Sequence, residues 1–170
     1  IILYRSPVCI QHDQVYRLCA LLTAPQLGPG EDLKKDKGAV IHHIARVCLM
    51  TVGVISGHEL SNLLHQDPDC LLIVDVREDD YTRGKILKSI NIPFYTFSDG
   101  DNASGIHKIQ ERLKENPRIN MIITHCHYCQ TRGPKAAKIL SKHVKGIPVY
   151  YLQGGWAAWV IEYPDLCEPL

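Results

Sequence analysis

A cysteine and an arginine six residues apart, Cys126 and Arg132, bound a stretch that reads His125-Cys126-His127-Tyr128-Cys129-Gln130-Thr131-Arg132-Gly133-Pro134. Cysteine attacks as the thiolate, the form favoured at a helix N-terminus or beside a cation. Arginine carries a planar fork that matches two oxygens of a tetrahedral oxyanion. Five residues between them are enough for successive backbone N–H groups to ring a phosphate-sized anion. The chemistry indicated is nucleophilic attack on such an anion. The plainer reading makes Cys126 a core thiol; the His-Cys start, the Arg-Gly-Pro end and the placement between a strand and a helix weigh against it.

Cys126 and Cys129 form a Cys-x-x-Cys pair, and His125 and His127 flank the first thiol. All four lie within five residues, with no second pair at ligand spacing, so zinc is not expected. The adjacent His42 and His43 point in different directions on any regular element and also lack further ligands. No metal and no cofactor is expected. For Cys129 a redox role inside the loop is one reading.

The elements that must position this loop are legible around it. Asn120–Thr124 reads as a buried strand running into the loop, and Lys135 to about Val144 as the helix after it, with Ala136, Ala137, Ile139 and Leu140 available for packing. Upstream, Ser56-Gly-His-Glu59 is a capping-box pattern opening a helix with Leu60, Leu63 and Leu64 inward. Leu71–Val76 is a continuous apolar run, Ser89–Pro93 a shorter one, and Ile106, Ile109 and Leu113 make a helical stripe closed by Asn116-Pro117. Downstream, Pro148–Leu152 is a fourth strand, and Gln153-Gly154-Gly155 leads to a helix holding Trp156 and Trp159. Strands alternating with helices imply an α/β sandwich with a mainly parallel sheet, in which ligands bind beyond the carboxyl ends of the strands. Cys126 stands at such an end.

The 170 residues predict one catalytic domain over 51–170, preceded by an irregular extension and linker over 1–50. In the extension Val15, Leu18, Leu21 and Leu22 fit one helical face, and residues 27–38 read as a charged linker. Nineteen Lys and Arg against 18 Asp and Glu, 45% hydrophobic and 22% charged residues, exclude bulk nucleic-acid binding and global disorder. The basic charge is local: from Asn116 to Ile161 there is no carboxylate, while Arg118, Arg132, Lys135, Lys138, Lys142 and Lys145 contribute six positive charges. The longest apolar stretch, Ala39–Ile55, is broken by His42, His43 and Arg46, so no membrane span is expected. Seven irregularly spaced cysteines argue for reduced thiols in a cytosol or nucleus. A start at Ile1 without a signal-peptide layout suggests a fragment or processed chain.

The loop closely resembles the active-site loop of the M-phase-inducer dual-specificity phosphatases and of the small eukaryotic arsenate reductases related to them, which share the rhodanese fold. Ile73-Val-Asp75-Val-Arg77, Tyr81-x-x-Gly84 and Ile90-Asn-Ile-Pro93 look like the first half of that fold. Leu152-Gln-Gly-Gly-Trp156 with Trp159 looks like its closing segment, and Cys167-Glu168-Pro169 is similar to the phosphatases' tail. The resemblance implies a rhodanese-like three-layer sandwich, with helices on both faces of the sheet. It makes Cys126 the nucleophile, Arg132 the oxyanion clamp, the backbone from His127 to Gly133 the cradle, and His125 a residue that positions the loop by hydrogen bonding. Asp75 and Arg77 match a structural pair.

Departures from the family shape the expected chemistry. His127 and Thr131 stand where the cell-cycle phosphatases carry acids, so a leaving-group proton must come from Glu78, Asp79 or Asp80, or from the substrate. Val76 replaces a protective cysteine, and Cys129 a common serine. The function implied first is a phosphatase acting through a cysteinyl-phosphate on phosphotyrosine, phosphothreonine or phosphoserine in a phosphorylated protein. The alternative is an arsenate reductase acting on the small oxyanion, with glutathione and glutaredoxin completing electron transfer. A thiosulfate sulfurtransferase is disfavoured because its loop is typically one residue shorter, and a non-catalytic phospho-binding module because both Cys126 and Arg132 are present.

Overall fold

An apolar run with no polar alternation needs cover on both faces, and the two longest such runs lie side by side in the middle of the sheet. In the computed structural model, which describes residues 52–97 and 103–170, the elements are β1 (Gly53–Ile55), α1 (Gly57–Gln66), β2 (Leu71–Asp75), β3 (Lys85–Ile86), β4 (Ile90–Asn91), α2 (Ser104–Glu115), β5 (Met121–His125), α3 (Arg132–His143), β6 (Val149–Leu152), α4 (Gly155–Glu162) and β7 (Cys167–Glu168). Five strands form a parallel sheet in the order β1-β6-β5-β2-β4, and β3 pairs antiparallel with β7.

Alternate residues of β2 and β5 serve the two faces. Leu72, Val74 and Ile122 pack with Ile106 and Ile109 of α2 and with Ala136, Ala137 and Leu140 of α3. Ile73 and Ile123 point the other way, into Leu60 and Leu64 of α1 and Trp156 and Trp159 of α4. The result is the α/β sandwich with a parallel sheet that the pattern of elements implies, in the three layers that the resemblance implies.

Local signals explain most boundaries. Ser56 caps α1 through the reciprocal bonds of a capping box with Glu59. The shorter run at Ser89–Pro93 pairs only through Ile90–Asn91, since Pro93 has no N–H for a ladder. The helix expected from Lys135 begins at Arg132 instead. Pro134 is no obstacle, because N–H groups in a first turn have no intrahelical partner to lose. The extra residues bring Arg132 onto the helix and shorten the loop to Cys126–Thr131.

The described residues belong to the unit Thr51–Leu170, distinct from Ile1–Met50. The helical face at Val15–Leu22, the linker at 27–38 and the His42-His43 pair lie outside them. Among the described residues no helix is long and apolar enough to cross a membrane, and no cluster of His, Cys, Asp and Glu is arranged to hold a metal ion.

Candidate active site

Cys126 follows the last residue of β5, at the carboxyl edge of the sheet. The strand end is fixed there by the Val76 N–H, which donates to the His125 carbonyl at 2.8 Å, and by the pairing of Asp75 with His125 across β2 and β5. Beyond it the chain needs partners for its polar backbone, and α4 supplies them. The first-turn N–H groups of a helix lack intrahelical acceptors; those of Trp156 and Ala157 donate to the carbonyls of Cys126 at 3.0 Å and His127 at 2.9 Å. These bonds tie the loop backbone to the first turn of α4. On the opposite side the Thr124 hydroxyl donates to the Gly133 carbonyl at 2.8 Å. Thr131, at the N-cap of α3, makes no side-chain cap bond, so the first turn keeps its donors for a ligand.

Two glycines make this approach physically available. A Cβ on Gly155, at φ +60°, would stand 2.4 Å from the Cys126 carbonyl oxygen and 2.6 Å from that of His127. A Cβ on Gly133 would stand 2.3 Å from the Cys129 sulfur. The Gly154-Gly155 pair is plain in the sequence; its service to the loop is not, because the contacts are made to backbone atoms remote in sequence.

Both loop cysteines are inside. Cys126 is 4% exposed and Cys129 6%, whereas Tyr128 and Gln130 on either side of Cys129 are exposed. Cys129 adopts φ +54°, a left-handed conformation costly for a residue with a side chain, and its thiol lies 3.9 Å from the Thr124 carbonyl oxygen. The neighbouring Cys129 thiol, with the N–H groups of Gly133 and Cys129 and the charge of Arg132, outweighs burial and lowers the Cys126 thiol to about 5. The Cys126 thiolate and burial together push Cys129 up. At neutral pH the pair is one thiolate and one thiol.

Arg132 is already engaged. Its Nη1 donates to Asp80 Oδ1 at 2.7 Å and to Glu78 Oε2 at 3.2 Å, and its Nη2 donates to Asp80 Oδ2. The Tyr95 N–H donates to Glu78 Oε1 at 3.1 Å. The three acids expected as proton donors therefore divide: Glu78 and Asp80 meet Arg132, and Asp79 is exposed. Arg132 holds the Asp80 carboxyl well below the usual carboxylate range, so in the free site Asp80 has no proton to give. This weighs against Asp80 as the proton donor.

Behind the loop, Asp75 and Arg77 are fully buried and paired at 2.7 Å. Arg77 also donates to the Gly84 carbonyl at 2.7 Å and lies over the rings of Tyr81 and Trp156, 4.9 Å and 4.7 Å from their centroids. It thereby ties β2 to α4. His125 is buried with its Nε2 3.6 Å from Asp75, and burial lowers its pKa, leaving the ring neutral. Among the described residues neither ring nitrogen has a hydrogen-bond partner. Lys85 serves the fold, bonding Glu168 at 3.0 Å across the β3–β7 pair. Lys135, Lys138, Lys142 and Lys145 are exposed on and just after α3, a basic edge that raises the local concentration of anions.

Comparison with known proteins agrees with this architecture. The dual specificity phosphatase ibp1 of Schizosaccharomyces pombe is 29% identical over 136 residues, 68% of this chain and 93% of the relative. An As-Sb reductase from Leishmania major is 28% identical with a TM-score of 0.59, over 70% of this chain and 86% of its own. A Saccharomyces cerevisiae homologue of single-domain rhodanese and the Cdc25 phosphatase catalytic domain shares the fold at 23% identity and a TM-score of 0.57, over 69% of this chain and 85% of that one. The rhodanese-like domain matches residues 56–162, from the cap of α1 to the last residue of α4, and the chain belongs to that family.

Proposed function

We propose that the chain is a cysteine-dependent phosphatase of the protein tyrosine or dual-specificity type, acting on a phosphorylated protein through a cysteinyl-phosphate intermediate. The observation that carries this reading is Cys126 in the loop between β5 and α3, its thiol lowered by the Cys129 neighbour, by the N–H groups of Gly133 and Cys129 and by the charge of Arg132. In the proposed reaction the Cys126 thiolate attacks phosphorus in line with the leaving oxygen. Arg132 exchanges Asp80 for two phosphoryl oxygens, a bidentate pairing of the same shape, and the loop amides take the developing charge. The leaving group takes its proton from the substrate's own phosphoryl group or from Glu78. Water then releases phosphate, with the freed Asp80 carboxylate available as its base.

The test is aryl phosphate hydrolysis with competitive inhibition by vanadate. Cys126→Ser should abolish turnover and keep anion binding, because the cradle is backbone and arginine. Arg132→Lys should lose at least tenfold in kcat/KM, since an ammonium cannot reproduce the fork. Ordinary turnover by Cys126→Ser would remove the covalent mechanism.

A second reading is reduction of arsenate in the same cradle with glutathione and glutaredoxin as thiol donors, and one observation favours it: a second buried thiol, Cys129, in the same loop as the nucleophile. The 28% identical relative from Leishmania major is an As-Sb reductase. Assaying an aryl phosphate and arsenate with glutathione side by side separates the two. Both reactions need free thiols, in keeping with action in the cytosol or nucleus.

A further inference from the structure

Cys129 is a buried nucleophile that phosphate hydrolysis leaves without a task. Its backbone is left-handed, its side chain is buried, and Gly133 leaves room for the sulfur. A single point, the absent Cβ of Gly133, lies 2.3 Å from the Cys129 sulfur and 3.4 Å from the Cys126 nitrogen. The Cys129 sulfur therefore stands within about 6 Å of the Cys126 backbone nitrogen, on the scale of the roughly 7 Å between Cα atoms that a disulfide tolerates. The other described cysteines do not compete. Cys70 precedes β2 and so lies at the amino edge of the parallel sheet, opposite Cys126; a five-residue strand separates those edges by about 17 Å. Cys167 sits in β7 with its thiol on the Tyr163 carbonyl.

We propose that Cys129 is the internal resolving thiol of this site: the fully reduced protein converts one molecule of arsenate to arsenite without any added thiol, and is left with a Cys126–Cys129 disulfide. The inference rests on the oxyanion-reducing reading above and names the electron donor within it. The steps balance. The Cys126 thiolate attacks arsenic, a sulfur–arsenic(V) bond forms, and one arsenate oxygen leaves as water after taking up protons. The Cys129 sulfur then attacks the Cys126 sulfur. A sulfur–sulfur bond forms, the sulfur–arsenic bond breaks, and its electron pair stays on arsenic, now arsenic(III). The Cys129 proton passes to the departing arsenite. Two thiols have lost two electrons and arsenic has gained two. A small dithiol or dithiol protein must reduce the disulfide before another cycle.

The resting geometry suits this order. While Cys126 is a thiolate, it opposes a second negative sulfur beside it. Once Cys126 is bonded to arsenic that opposition is gone, and burial alone still favours the protonated Cys129. Phosphorus(V) offers no such exit, because a thiol does not reduce it, so a cysteinyl-phosphate in the same loop waits for water. One cradle would thus hydrolyse phosphate esters and reduce arsenate.

The experiment uses the full chain, completely reduced, desalted without oxygen and mixed with arsenate in the absence of free thiol. The expected result is about one equivalent of arsenite per protein, disappearance of two thiols, and a cross-linked peptide joining Cys126 to Cys129. Cys129→Ser and Cys129→Ala, each checked for cooperative unfolding, should give less than a tenth of that arsenite. Arsenite from the variants at the parent level, a cross-link to any other cysteine, or no arsenite until glutathione is added would overturn the proposal. Aryl phosphate hydrolysis, run on the same sample, separates the two failures: hydrolysis without arsenite sinks the resolving role alone, and the absence of both reactions sinks the function proposed for the site.

Discussion

The guanidinium that should hold the substrate is occupied in the free protein by a carboxylate of matching shape. An incoming anion must displace Asp80 from Arg132. Both partners are partly exposed, so solvent screening limits the competition to about 1 kcal/mol. Asp80→Asn should therefore bind vanadate or phosphate roughly fivefold more tightly; an unchanged inhibition constant would show that the ion pair does not compete. The nucleophile has its own signature. With the Cys126 thiol lowered to about 5, the reactive thiolate is present above that pH and lost below it. Alkylation of Cys126 by iodoacetate should rise through about pH 5 and be level by neutrality. A rate still climbing at pH 8 would mean that the loop does not stabilise the thiolate.

Among the elements, α4 does more for the site than its sequence announces. Gly155→Ala places a methyl group against two carbonyl oxygens of the loop at a φ of +60°, where an L-residue costs roughly 1–2 kcal/mol before any clash. The expected outcome is a lower melting temperature together with at least a tenfold loss of aryl phosphatase activity. Full activity would show that the Trp156 and Ala157 bonds are dispensable. Such contacts are illegible in a sequence because they join backbone atoms 30 residues apart, Trp156 to Cys126. The same holds for the hold of Asp80 on Arg132, which only the folded sheet edge brings about. β1, β3 and β7, of two or three residues each, are too short to show a period, and no pattern marked them. By contrast β2 and β5 are covered on both faces and read as unbroken apolar runs, α1 announces itself by its capping box, and the loop by the spacing of Cys126 and Arg132.

For the whole molecule, the match to the rhodanese-like domain begins at residue 56, and the sheet with both helical layers lies within 51–170. A chain starting at Thr51 should unfold cooperatively and keep the pH profile of Cys126 alkylation; a non-cooperative melt would show that the first 50 residues complete the core. The bonds from α4 to the loop also have a consequence for observation. The amides of Trp156 and Ala157 belong to α4 and not to the loop, yet their acceptors are the carbonyls of Cys126 and His127. Any event that tilts those peptide planes must change how fast the two amide protons trade with solvent deuterium. Two spectator protons in α4 thus report anion occupancy and thiol oxidation alike, without a label or a substituted residue at the site itself.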